Sequence, residues 1–93
     1  MASNAIWLAQ KVGRQMQVVR ALDQERQRMV QQGYKFIGQG KRAGTHNNRR
    51  RAMASLRNHR AVYERTRQVL ARETAVLRQL AQQLAQLRGM RRA

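Results

Sequence analysis

The chain has 93 residues, a formal net charge of +16, and neither Cys nor Pro. Such a charge lies far outside the range of ordinary soluble enzymes, and self-repulsion opposes compaction unless counter-charge comes from a partner. Without thiols there are no disulfides and no thiolate metal sites; one Trp, two Tyr and one Phe exclude an aromatic core.

Residues 1–22 carry Lys11, Arg14 and Arg20, no acid, and apolar residues on a helical stripe. An amphipathic, arginine-bearing, acid-free N-terminus resembles mitochondrial import sequences. The same residues serve equally as the first half of a structural helix. The pattern continues to Gln32, with Ala5, Leu8, Val12, Val19, Leu22 and Met29 on three-four spacing and Gln15 and Arg26 as breaks. Ser3 or Asn4 is a suitable N-cap, and Gly33 suits the left-handed position after the last turn. A first helix over about residues 4–32 follows from these signals.

From Gly33 to Arg60 the chain holds eight cations and no carboxylate. They are Lys35, Lys41, Arg42, Arg49, Arg50, Arg51, Arg57 and Arg60. Gly33, Gly38, Gly40 and Gly44 punctuate its first part, which reads as a basic loop over about residues 33–47. Tyr34, Lys35 and Phe36 alternate ring and cation, as loops lying on irregular RNA do. Tyr34, Phe36 and Ile37 suit an apolar plug at the end of a hairpin equally well.

Thr45 or Asn47 begins a second helix, over about residues 48–88, and Gly89 suits its end. Leu56, Tyr63, Leu70, Leu77 and Leu84 repeat every seven residues, flanked by Val62, Val69, Val76, Leu80 and Leu87. The expected fold is all-α: one long antiparallel two-helix hairpin over residues 1–93 with a basic, glycine-rich connecting loop. On these bounds the second helix overhangs the first, and its leucines Leu77, Leu80, Leu84 and Leu87 have no internal partner. An apolar stripe left open implies a protein interface.

Arg49, Arg50 and Arg51 fall at the start of the second helix, where the backbone dipole disfavours cations by about 0.3–1 kcal/mol each. The placement makes sense if an anion sits there, met by free N–H groups and guanidinium forks together. Seventeen of the twenty cations are Arg, which forks onto phosphate and stacks on bases. Other motifs fail in detail. A basic-region leucine zipper needs Asn followed eight residues on by Arg, whereas Asn48 leads to Leu56 and Asn47 to Ser55. Gly38–Thr45 lacks the Gly-Lys-hydroxyl order of a nucleotide-binding loop, since Gly40-Lys41 is followed by Arg42. Two His and four carboxylates build neither a metal cluster nor a nucleophile–base pair.

These features lead to a non-enzymatic, structural RNA-binding subunit of a large ribonucleoprotein, with no cofactor. A ribosome, and a mitochondrial one from the N-terminus, is the host they suit, with ribosomal RNA and neighbouring proteins as partners. The expected location is the mitochondrial matrix, or otherwise a cytoplasmic ribonucleoprotein. The rivals are an accessory helical subunit of a mitochondrial membrane complex and a coiled-coil DNA-binding protein. No apolar run is long enough to span a bilayer.

Overall fold

Two helices form because apolar side chains recur every three or four residues along both arms and no Pro interrupts them. The computed structural model describes residues 2–92, with side chains for residues 4–89. Helix α1 runs Ala2–Arg42 (41 residues) and α2 runs His46–Arg92 (47 residues). They pair as an antiparallel helical hairpin, as the sequence leads one to expect. Both helices are longer than their patterns imply, and the connection shrinks to residues 43–45. Ser3, one of the two candidate caps, has its side chain outside the described residues, and Asn4 lies within α1.

The chain divides into two compact units. In the first, residues 2–22 pack on residues 69–92. Its core is Leu8, Leu80 and Leu84, with Ala9, Val12 and Leu87 packed around them. The interface expected at Leu77, Leu80, Leu84 and Leu87 is therefore corrected: Leu80 and Leu84 are buried by α1, and Leu77 and Leu87 are half-buried. The leucines gain a partner because α1 is longer and the connection shorter than the sequence pattern implies, which brings Leu8 level with Leu80 and Leu84. Further along, Gln15 Nε2 donates to Glu73 Oε2 at 2.5 Å and to the Glu73 carbonyl at 2.9 Å. Gln15, a break in the apolar pattern, is thus a seam residue, and its contact gives Glu73 a role that spacing along α2 cannot supply. A polar pair in an apolar seam favours one register over its slipped alternatives.

In the second unit, residues 23–68 hold the connection and the paired helix segments on either side of it. Arg26, the other break, bonds Asp23 at 3.0 Å, and the Tyr63 hydroxyl of α2 and then Asp23 hold its pKa above the ordinary value. Glu25–Arg28 (3.8 Å) and Glu64–Arg67 (3.4 Å) are exposed pairs one turn apart and contribute little.

The expected loop over 33–47 is corrected to helix as far as Arg42 because the seam runs straight through it. Gly33, Phe36 and Gly40 keep the three-four spacing begun at Met29, facing Ala52, Leu56 and His59. The Gly33 backbone lies against the His59 ring, and a Cβ there would stand 3.4 Å from Nε2. A Cβ on Gly40 would stand 3.8 Å from the Ala52 methyl. His59 Nε2 donates to the Met29 carbonyl at 2.5 Å, and its ring meets Phe36 at 5.4 Å and 58°. These contacts outweigh the roughly 1 kcal/mol that each Gly costs a helix relative to Ala. No glycine has a positive φ, so neither Gly33 nor Gly89 acts as a left-handed cap, and α2 passes through Gly89 to Arg92.

Gly13 differs from these two. It is helical and exposed, and a Cβ would meet nothing within 4 Å. Gly13→Ala should stabilise the hairpin by about 1 kcal/mol and raise its melting temperature by about 4–8 °C. Circular dichroism melts of the two proteins check this, and an unchanged or lowered midpoint contradicts it.

Candidate nucleic-acid interface

The connection is built by its cap. The Asn48 N–H donates to Thr45 Oγ1 at 3.2 Å and the Arg49 N–H to the Thr45 carbonyl at 3.0 Å, so Thr45 caps α2. Arg49, Arg50 and Arg51 consequently begin one turn inside the helix rather than in its first turn. The N–H groups nearest the helix start belong to residues 46 and 47 instead. At the other side, Lys41 and Arg42 occupy the last turn of α1, where the negative end of the dipole favours them.

Consecutive helical residues diverge by about 100°, so the three arginines separate rather than form one grip. Arg51 meets Arg42 across an open polar cleft shared with Gln39, Asn48 and Ser55. Arg49 turns to the opposite side of the seam, where it and Lys41 border an apolar groove with Phe36, Ile37, Met53 and Leu56. Arg60 lines the continuation of that groove. Arg50, Lys35 and Arg57 are exposed and line neither depression.

The cleft is the part of the surface that chemistry matches to an oxyanion. Two guanidinium groups supply forked donors and charge, and the Gln39 and Asn48 amides and the Ser55 hydroxyl add neutral donors. Residues 23–68 carry twelve cations against Asp23, Glu25 and Glu64, and those three lie far along the chain from the cleft. Gln39, Asn48 and Ser55 are not among the candidate binding residues that the sequence suggests. The signal that finds them is register: Gln39 stands three residues before Arg42, and Asn48 and Ser55 flank Arg51 at helical spacing.

The ring-and-cation run divides between its two readings. Phe36 is half-buried against His59, as a plug residue is, whereas Tyr34 is 70% exposed. Among the described residues no group of His and carboxylates could hold a metal ion, and no helix is long and apolar enough to cross a membrane. No protein-family model, curated protein or solved structure matches the chain.

Proposed function

We propose that this protein is a structural RNA-binding subunit of a large ribonucleoprotein, with the end of the hairpin near the connection lying on RNA phosphates. The observation that carries the reading is the Arg42–Arg51 cleft, set in a stretch without any carboxylate from Gly33 to Arg60. Lys35, Arg50 and Arg57 extend the same field along the outer helix surfaces and add phosphate contacts that neutralise charge without reading bases. A two-helix protein of charge +16 gains most from a host that supplies both counter-charge and neighbours. A ribosome is such a host, and the acid-free, arginine-bearing N-terminus favours a mitochondrial one.

A second reading, an accessory subunit resting on an anionic membrane surface, draws on Ile6 and Trp7. They are 60% and 55% exposed, with Lys11 Nζ 4.9 Å from the Trp7 ring. Aromatic and basic residues together suit a headgroup layer. Titration against a structured RNA, a duplex DNA of equal length and anionic vesicles separates the readings. RNA should bind about tenfold more tightly than DNA at equal salt, because clustered phosphates and unpaired bases offer more to Arg than a uniform duplex does. Vesicle binding equal to or tighter than RNA binding, lost with Trp7→Ala, contradicts the RNA reading in favour of the second.

A further inference from the structure

On the side of the seam away from the cleft, α1 and α2 part to leave an apolar groove. Its floor is the seam itself, where Gly33 and Gly40 present bare backbone beside His59 and the buried Leu56. Val30 and Ile37 of α1 and Met53 of α2 form its walls, 37%, 37% and 49% exposed, and Tyr34 stands beside them. The depression at Val30 and the one at Lys41 share Ile37 and Leu56, so they make one groove. From Val30 to Lys41 it covers eleven helical steps, about 16 Å or three turns. Its charged rim is uniformly positive, with Lys41 and Arg49 at one end and Arg60 at the other.

We infer that this groove receives an acidic amphipathic helix of a neighbouring protein. Apolar side chains at i, i+3 or i+4, and i+7 fill it, and flanking carboxylates meet Lys41, Arg49 and Arg60. The aliphatic walls decide against nucleic acid, since bases gain their contact energy from flat π faces, and Tyr34 is the one open ring. The rim decides against a second copy of this chain, which carries four acids to twenty cations and would repel it. A three-turn groove with apolar anchors and a charged rim is the arrangement used in helix-in-groove recognition. The inference assigns the protein contact of the ribonucleoprotein reading to one face. It remains separable, because Ile37 and Gln39, like Met53 and Ser55, are two residues and so about 200° apart on their helices.

The test uses the full chain and three labelled synthetic peptides of about 15 residues. One has leucines at i, i+3, i+7 and glutamates elsewhere; the second has the leucines replaced by serine; the third scrambles the first. The leucine peptide should bind at least about tenfold more tightly than either control, and Ile37→Asp with Met53→Asp should remove that advantage. Ile37→Ser with Met53→Ser, which adds no charge, should lower it in the same direction. Both positions are exposed enough that helicity by circular dichroism should hold. Arg42→Gln with Arg51→Gln should leave peptide binding intact while weakening RNA binding. Equal binding of all three peptides overturns the inference, as does an unchanged affinity in both groove variants. It is equally overturned if the groove variants lower RNA affinity and no peptide binds.

Discussion

Leu80→Asp with Leu84→Asp should abolish the folded first unit rather than merely remove a contact surface. Both leucines are only 8% exposed, and with Leu8 they make up the buried core of that unit. Each substitution deletes a leucine's burial and brings a carboxylate against apolar neighbours, and core changes of this kind reach 4–5 kcal/mol or more. Two together, on the order of 8–10 kcal/mol, exceed what a small hairpin has to lose if its stability lies at the low end of the about 5–15 kcal/mol of ordinary domains. Hydrogen exchange should show amide protection lost across residues 4–22 and 69–89, with a matching fall in helicity. Retained protection at both sites would mean that the leucines are a dispensable surface, as an open stripe would be.

That outcome separates what the sequence says from what it conceals. The seam residues Leu8, Val12, Val19, Leu22 and Met29 on α1, and the sevenfold repeat from Leu56 to Leu84, stand where their spacing puts them. Glycine is more than punctuation in this chain. Gly33 and Gly40 are seam positions whose missing side chains admit His59 and Ala52, and a helix tolerates them because tertiary contact outweighs propensity. If residues 33–42 were a loop, α1 would be too short to cover the C-terminal leucines. Gln15 and Arg26 behave in the same manner: each is polar and breaks the apolar pattern, yet each has a partner beside the seam. The polar side of the connection was legible as charge but not as geometry. A run of three arginines cannot point one way on a helix, and only the register of Arg42 against Arg51 shows which two share a cleft.

The cations themselves carry the other large effect. Arg42→Gln, Arg50→Gln and Arg51→Gln together remove up to three phosphate contacts, and RNA affinity near physiological salt should fall by on the order of 10²-fold. Folding should be little altered. Arg42 leaves a favourable place in the last turn of α1, an effect of about 0.3–1 kcal/mol, while Arg50 and Arg51 lie beyond the first turn of α2, where its dipole has little hold on them. A drop in affinity with unchanged helicity is therefore a loss of binding and not of structure.

The most direct measurement of the central claim is the slope of log affinity against log salt for this triple variant beside the unaltered protein, on one structured RNA. Each lost phosphate contact lowers the slope by roughly 0.7–0.9, so three contacts should lower it by about 2–3. A slope equal to that of the unaltered protein would show that these arginines face solvent rather than phosphate, and would contradict an RNA-binding role for this end of the hairpin.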